Sequence, residues 1–290
     1  MSSLSNPRRR KSHHPLPSRS TMAPLTVVKF GGGLITEKGN LKQAKFEVID
    51  ELCDSIQVLV REGHKVVLIH GAGSFGHLRA KKWKLHLGHQ EELELDGEDS
   101  QISQNDACLM VRGDMDELNG IIIEKLESRG LETSRHPPRT WVNGDGIDFE
   151  GDVTMFDSDI SDVVVTFGDV VECKPPQDFG ILSGDHLVYR IAYELGAANV
   201  VFAMGGAPGV MTGDPNYLDS KLIHEWVAGS ELHGEQDEKI DVTGGIQLKV
   251  KVAEMLSKTI DNVWIVDGRH PNRIIEACLL GDTMGTKFLP

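Results

Sequence analysis

The sequence lacks the features of a membrane protein and of a zinc-stabilised one. Its cleanest apolar runs, residues 163–165 and 200–203, are only a few residues long, whereas a membrane-spanning helix needs about 20. The four cysteines show no Cys-x-x-Cys spacing and form no cluster with histidine. This argues against a structural zinc site and indicates reduced, intracellular thiols. We therefore expect a globular intracellular protein without a membrane partner.

Acidic residues are missing from the start of the chain, although the whole chain carries a net charge of −14. So acidic a chain is a poor candidate for binding nucleic acid, because phosphate backbones require a basic face. No acid precedes Glu37, and residues 1–24 hold five basic side chains with few apolar ones. This composition predicts a disordered basic tail. A cytoplasmic location is expected, and an organelle transit peptide or a nuclear signal in the tail are the alternatives.

From Leu25 onward, apolar strands alternate with segments of helical periodicity, and the chain shows no repeat. This alternation predicts an α/β fold with a mainly parallel sheet. Residues 86–106 are acidic and irregular, and we predict a loop or lid there. Leu109 and Met110 are expected in the core. The predicted strands are 25–30, 65–70, 162–167, 199–204 and, as the last strand, 263–266; the predicted helices are 41–61, 107–129, 185–195 and one that begins near Gly245.

Glycine-rich loops follow three of the predicted strands, at residues 31–33, 70–77 and 205–209. Because ligands bind at the carboxyl ends of strands in open α/β sheets, these loops should gather on one edge. Glycine lets backbone N–H groups approach a phosphate closely. The second loop contains Gly-x-Gly-x-x-Gly, a pattern that is found in dinucleotide-binding sites. However, no strand with a terminal acid follows about 20 residues later, which argues against a dinucleotide site.

The motifs as a set resemble those of the amino acid kinase superfamily, and within it most closely those of the isopentenyl phosphate kinases. The resemblance rests on Lys-Phe-Gly-Gly-Gly at 29–33, His-Gly-Ala-Gly-Ser-Phe-Gly-His at 70–77, Leu-Ser-Gly-Asp at 182–185 and Asp-Val-Thr-Gly-Gly at 241–245. It implies a three-layer αβα sandwich over residues 25–290. The acceptor-binding half would cover about 25–180 and the nucleotide-binding half about 181–290.

The resemblance also implies an activity, which is transfer of the γ-phosphoryl group of ATP to a small phosphorylated alcohol, most closely isopentenyl phosphate. Mg²⁺ would accompany ATP, and a homodimer is the usual assembly. Two alternatives stay open. Fosfomycin-type phosphonate kinases share most of these motifs. Residues 205–209 also lack the acid of the family's Thr-Asp-Val-x-Gly pattern, as expected for a catalytically weakened regulatory paralogue.

The family positions assign roles to particular side chains. Lys29 would neutralise the transferring phosphoryl group, and Asp185 would orient Lys29 and Lys249, although Asp185 could also simply cap its helix. His77 would donate a hydrogen bond to the acceptor phosphate. No metal-ligating side chain is predicted. The further predicted contacts are Gly32, Gly33, Gly73, Gly76, Lys38 and Asp169 for the acceptor, and Gly31, Gly205, Gly209, Gly244 and Gly245 for the nucleotide.

Overall fold

The computed structural model describes residues 23–37, 39–93, 101–230 and 245–290. The predicted tail lies almost wholly outside these residues, as do Lys38, Gly244 and part of the predicted acidic loop. Within the described residues, no helix combines the length and the apolarity that are needed to cross a membrane.

The described chain alternates strands and helices along most of its length. The strands are β1 (Leu25–Phe30), β2 (Lys65–His70), β3 (Thr133–Arg135), β4 (Val163–Phe167), β5 (Asp169–Glu172), β6 (Phe179–Leu182), β7 (Asn199–Met204), β8 (Glu225–Val227), β9 (Val263–Asp267) and β10 (Gly285–Leu289). The α-helices are α1 (Gly32–Ile35), α2 (Phe46–Arg61), α3 (Gly73–Lys82), α4 (Gln104–Glu127), α5 (Met155–Ser158), α6 (Gly184–Leu195), α7 (Gly245–Ser257) and α8 (Asn272–Leu279).

One sheet of eight strands organises the described residues, in the order β3-β4-β2-β1-β7-β9-β10-β8. The six strands from β3 to β9 in this order are mutually parallel. β10 runs antiparallel to β9, and β5 pairs with β6 in a separate antiparallel hairpin. The predicted α/β fold with a mainly parallel sheet is confirmed.

The sheet is buried on both faces, which explains why its central strands are almost continuously apolar. Val28 and Phe30 of β1 pack in one core with α2, α3, α4 and α8. Val27 packs in the other core with α6 and α7. Lys29 follows the alternation and therefore shares the α6/α7 face with Val27. The predicted three-layer sandwich is thus also confirmed.

Two predicted helix starts differ from the structure. The helix predicted over 41–61 begins only at Phe46, because Thr36 and Ala44 form a β-bridge and Lys42 adopts a positive φ of 57°. The helix predicted from residue 107 begins instead at Gln104, inside the predicted acidic loop. There Ser103 and Asp106 form a capping box, which satisfies N–H groups that a helix start leaves without partners.

Two other sequence predictions are wrong. The strand at 263–266 is not the last one, because α8 and β10 follow it. β10 closes the core with Phe288, which is fully buried. Leu109 and Met110 are exposed rather than in the core, because the buried face of α4 is formed by neighbours such as Cys108 and Val111.

Candidate functional site

The first two glycine loops touch each other through their backbones at the carboxyl ends of β1 and β2. A Cβ atom on Gly32 would lie 2.2 Å from the Gly73 nitrogen, and one on Gly71 would lie 2.6 Å from the Gly32 nitrogen. Gly73 has a φ of +50°, which glycine adopts without strain. Glycine is therefore required here for close approach of two main chains, and the approach leaves backbone N–H groups at the sheet edge.

The second motif is only partly a loop, which corrects the sequence prediction. From Gly73 it continues directly into α3, because Phe75 is buried in the core and the nitrogen of Gly76 bonds to the Ala72 oxygen at 3.4 Å. A Cβ on Gly76 would lie 2.6 Å from the Ala72 Cβ. His77 lies one turn into this helix with an exposed side chain. The start of α3 thus lies at the same edge, where the Ser74 nitrogen donates to Thr36 Oγ1 at 2.9 Å.

Three predicted side chains meet on the α6/α7 face of the sheet. The Nζ atom of Lys29, near the end of β1, forms a short ion pair with Asp185 Oδ1 at the start of α6. Lys249 Nζ on α7 lies 3.6 Å from Asp185 Oδ2 and donates a hydrogen bond to the Gly245 oxygen at 2.7 Å. Only 5% of Lys29 and 3% of Asp185 are exposed. Asp185 does not cap its helix, because the cap is Ser183, whose side chain accepts a hydrogen bond from the Asp185 nitrogen. The Asp185 carboxylate instead holds two ammonium groups together.

The environment shifts the pKa values of this group. Burial lowers the pKa of Lys29 to about 8, with Lys249 lowering it further and Asp185 opposing both. Burial disfavours the charged Asp185, but the charges of Lys29 and Lys249 outweigh it and hold the pKa of this carboxyl below its usual value. At neutral pH the group therefore carries one negative and two positive charges, a net positive charge inside the protein.

Asp169, predicted to contact the acceptor, is occupied by protein groups. Its Oδ2 atom lies 2.9 Å from Arg139 Nη1, and its Oδ1 accepts a hydrogen bond from the Val170 nitrogen at 2.9 Å. Burial raises the pKa of Asp169, against the opposing charge of Arg139. Arg139 also pairs with Asp116 of α4 at 2.7 Å. Asp169 thus faces an arginine that the sequence analysis did not assign.

The remaining predicted glycines lie in the first loop, in the third loop and at the start of α7. Gly31 donates from its nitrogen to the Ala203 oxygen at 2.8 Å, and a Cβ on Gly205 would lie 3.4 Å from the Leu34 Cα. The first and third loops are therefore also neighbours. Gly209 is buried beside β10, since a Cβ there would be 2.6 Å from Thr286 Oγ1. Gly245 begins α7 beside Lys249, and Gly33 lies in the first turn of α1.

His70 and Asn119 form a buried polar pair that sequence reasoning missed. His70 Nε2 lies 3.2 Å from Asn119 Nδ2, and His70 Nδ1 lies 3.2 Å from the Gly71 oxygen. Its ring stacks on Phe167 with centroids 5.0 Å apart. Burial lowers the pKa of His70 to about 4, although the Gly71 oxygen opposes this. A neutral His70 thus links α4 to the second glycine loop. The sequence signal that could have identified His70 was its position at the start of the motif.

Among the residues that the structure describes, no group of three or more His, Cys, Asp or Glu side chains could hold a metal ion. This part of the chain therefore offers no protein cage for a divalent cation. Mg²⁺ does not require one, since it is commonly held by one or two carboxylates together with substrate phosphates.

The sequence profile described as the Amino acid kinase family matches residues 24–267. The chain belongs to the amino acid kinase family. This confirms the family that the motifs predicted, and the match spans every glycine loop of the site. The amino acid kinase fold also recurs in solved structures. One titled as X-ray structures of isopentenyl phosphate kinase has a TM-score of 0.73 and 21% identity, and covers 91% of this chain and 99% of its own.

The curated relatives narrow the resemblance from the family as a whole to the isopentenyl phosphate kinases. Isopentenyl phosphate kinase of Methanocaldococcus jannaschii is 27% identical over 275 residues, 91% of this chain and 98% of its own. That of Thermoplasma acidophilum is 27% identical over 252 residues, 86% and 94% of the two chains. A structure of the latter enzyme, titled as a product complex, superposes with a TM-score of 0.70 at 25% identity over 91% of this chain and 99% of its own.

Proposed function

We propose that this chain is a kinase that transfers the γ-phosphoryl group of ATP to isopentenyl phosphate and so forms isopentenyl diphosphate. The buried group of Lys29, Asp185 and Lys249 is the observation that carries the proposal. It concentrates positive charge where two glycine loops and two helix starts meet. The isopentenyl phosphate kinases that match over up to 91% of the chain favour this acceptor.

The charge at this site fits the electrostatic demand of the reaction. An oxygen of the acceptor phosphate would form a bond to the γ-phosphorus, and the bond from that phosphorus to the β,γ-bridging oxygen would break. Two unit charges 4 Å apart repel by about 4 kcal/mol even at an effective dielectric of 20. Phosphoryl transfer is catalysed mainly by positioning and charge stabilisation. Lys29 and Lys249 would offset the repulsion, and Asp185 would hold both lysines in place.

The acceptor phosphate would bind where the first two loops touch. Backbone N–H groups of Gly32, Gly33 and Gly73 would donate to it, and the close packing of Gly76 would fix the first turn of α3. His77, exposed on that helix, would donate a further hydrogen bond. Lys38 and Asp169 remain proposed acceptor contacts, with Asp169 acting through the paired Arg139.

The nucleotide would lie on the other half of the sheet edge, beside β7, β9 and α7. Gly31, Gly205, Gly209, Gly244 and Gly245 are the proposed contacts of this half. Mg²⁺ would be bound chiefly by the nucleotide phosphates. A homodimer and a cytoplasmic or organellar location complete the proposal, and light scattering with localisation of the tagged full chain would test these two points.

A regulatory nucleotide-binding protein is the second candidate. The observation that favours it is the third loop, where Gly206 adopts a positive φ of 93° in a segment without acidic side chains. A steady-state assay with ATP and isopentenyl phosphate separates the two candidates. Turnover supports the kinase, whereas ATP binding without turnover of any phosphorylated alcohol, or of fosfomycin, would leave the regulator.

His77 gives a sharper test of the acceptor site. Because a charge-assisted hydrogen bond contributes roughly 1.5 to 3 kcal/mol, His77→Ala should lower kcat/KM for isopentenyl phosphate about 10- to 150-fold. KM for ATP should change little, and His77→Gln should recover part of the loss. His86→Ala removes another exposed histidine and serves as the control. Unchanged acceptor kinetics in His77→Ala would remove this residue from the proposed site.

A further inference from the structure

We propose that the hydroxyl of Thr36, the residue that follows α1, is a positioning group that sets the geometry of the acceptor-phosphate site. This inference rests on the proposed function, because it takes the acceptor phosphate to bind where the first two glycine loops touch. Thr36 would make no contact with the substrate. Its hydroxyl would instead fix the two loops relative to each other, and so the N–H groups that donate to the phosphate.

The Thr36 hydroxyl forms hydrogen bonds to both loops. Its Oγ1 atom donates to the Gly32 oxygen at 2.8 Å and accepts from the Ser74 nitrogen at 2.9 Å. The Gly32 oxygen also accepts from the Thr36 nitrogen at 3.0 Å. Thr36 is only 1% exposed, so solvent does not compete for these bonds. One hydroxyl, which can donate and accept at once, thus joins the first turn of α1 to the first turn of α3.

The second glycine loop packs directly against this hydroxyl. A Cβ atom on Gly73 would lie 2.1 Å from Thr36 Oγ1 and 2.6 Å from the Gly32 oxygen, distances that real Cβ atoms do not show. Glycine at position 73 is therefore required by the approach of Thr36 as well as by the positive φ. With so little space at the contact, a shift of the Thr36 side chain would move the main chains of Gly32 and Gly73 relative to each other.

The segment after Thr36 holds Ser74 as well. The Gln43 nitrogen donates to Ser74 Oγ at 3.2 Å, and the Lys42 nitrogen donates to the Ser74 oxygen at 3.3 Å. Ser74 is itself 5% exposed. These bonds attach the start of α3 to residues 42–43, whereas Thr36 extends the network to Gly32 in the first loop. Loss of the Thr36 hydroxyl should therefore loosen the contact between the loops without unfolding α3.

The peptide groups that Thr36 holds adjoin the proposed phosphate donors. Since the Ser74 nitrogen is already bound to Thr36, the Gly73 nitrogen is the proposed donor of the second loop, beside those of Gly32 and Gly33. A hydrogen bond weakens steeply when its distance or angle departs from the optimum. A displacement of about 1 Å at a reacting group can cost about 100-fold in rate. Because the nucleotide half uses other loops, the loss should fall on the acceptor.

Thr36→Val and Thr36→Ser separate positioning from a general loss of stability. Valine keeps the branched shape without the hydroxyl, and serine keeps the hydroxyl. Thr26→Val is the matched control, because Thr26 is also fully buried but lies at the opposite end of β1. Its Oγ1 lies 2.8 Å from His64 Nδ1 and accepts from Asn199 Nδ2 at 3.0 Å. Thermal melting would measure the stability of each variant, and steady-state kinetics would give both KM values.

Thr36→Val should lower kcat/KM for isopentenyl phosphate about 10- to 100-fold, whereas KM for ATP should change little. Thr36→Ser should recover most of this loss. Thr26→Val should lose a similar amount of melting temperature but keep the wild-type acceptor kinetics. Acceptor kinetics in Thr36→Val that match Thr26→Val, or an equal rise in both KM values, would overturn the positioning role and leave the proposed function intact.

Amide hydrogen exchange of the free protein tests the bridge without turnover. The Ser74 amide should exchange faster in Thr36→Val, because it has lost its acceptor, and at the wild-type rate in Thr26→Val. Unchanged exchange of this amide in folded Thr36→Val would overturn the bridge. Failure of wild type to phosphorylate isopentenyl phosphate would instead refute the proposed function, and the exchange result would still decide whether Thr36 joins the two loops.

Discussion

Lys29 and His70 lie at the ends of two adjacent parallel strands, yet the surroundings of Lys29 stabilise its charged form and those of His70 its neutral form. Both side chains are fully or almost fully buried, and burial lowers both pKa values, to about 8 for Lys29 and about 4 for His70. Lys29 pairs with the carboxylate of Asp185, whereas His70 meets the neutral amide of Asn119. Lys29 therefore remains charged at neutral pH, and His70 is neutral.

The difference shows that one sheet edge can hold a charged side chain for one role and a neutral side chain for another. Burial alone removes a charge, because desolvation disfavours the ionised form. A charge persists only where a carboxylate partner offsets that cost, as on the α6/α7 face. On the α4 face no carboxylate of the described residues contacts His70, and the neutral ring links Asn119 to the Gly71 backbone by hydrogen bonds. The first arrangement suits charge stabilisation, and the second suits positioning of a loop.

Removal of the Lys29 charge should have the largest effect. Lys29→Met keeps much of the side-chain volume and should lower kcat about 100- to 1000-fold, the loss typical of a removed transition-state donor. Asp185 keeps Lys249 as a partner, so the melting temperature should change much less than the rate. Lys251→Met, at an exposed position of α7, removes the same charge away from the site. A near wild-type kcat in Lys29→Met would contradict the role assigned to this lysine.

Acid unfolding should reveal the neutral state of His70. Its folded pKa of about 4 lies below the unfolded value of 6.5, so only the unfolded state binds the proton between these values. Stability is therefore lost as the pH falls from 6.5 to 4, by about 3 kcal/mol from this group.

Urea unfolding at pH 7 and pH 4.5 measures this loss. His70→Gln should be less stable at pH 7 but should show a smaller difference between the two pH values. His86→Gln, with an exposed histidine, should keep the wild-type difference. An unaltered pH difference in His70→Gln would show that His70 is not buried in its neutral form.

The pH profile of kcat tests the role of Asp185, the carboxylate by which the surroundings of Lys29 differ from those of His70. In wild type kcat should decrease as the pH rises through about 8, because Lys29 loses its proton there. This decrease forms the alkaline limb of the profile. Asp185→Asn removes the opposing charge while Lys249 remains, so the pKa of Lys29 should fall and the limb should move toward neutral pH. Ser183→Ala removes the hydroxyl that caps the Asp185 nitrogen at 3.2 Å without a change in charge. Its limb should stay in place; a shared shift in both variants would implicate the helix start instead.

The central fold was predictable because its strands are apolar over their whole length. β1, β2 and β7 were predicted with their observed bounds, as expected for strands that are buried on both faces. β10 was missed because Gly285, Thr286 and Lys287 interrupt its apolar pattern. α8 was missed because it is short and follows Pro271. Their burial is decided by packing against distant elements, which a local pattern does not contain.

The residues of the candidate site divide in the same way, into those with a local sequence signal and those without one. Lys29 was identified because a lysine inside an apolar strand is conspicuous, and Asp185 because of its motif. Arg139 and Asn119 gave no comparable signal. Each acquires its place by contacting a partner that is distant in sequence, Asp169 and His70 respectively. A sequence shows that a buried charge requires a partner, but only the fold shows which residue supplies it.

Deletion of residues 1–23 should have the smallest effect and would show that both environments are complete without the tail. The described partners of Lys29 and His70 are Asp185, Asn119 and Phe167, which all belong to the domain, so kcat and the melting temperature should stay close to wild type. The deletion changes the net charge from −14 to −19, which should raise KM for the anionic ATP slightly at low ionic strength. Since the Debye length is only about 8 Å at 0.15 M, added salt should abolish that difference. A fall in melting temperature that persists in salt would show that the tail packs on the domain, because screening removes long-range charge effects but not buried apolar contacts.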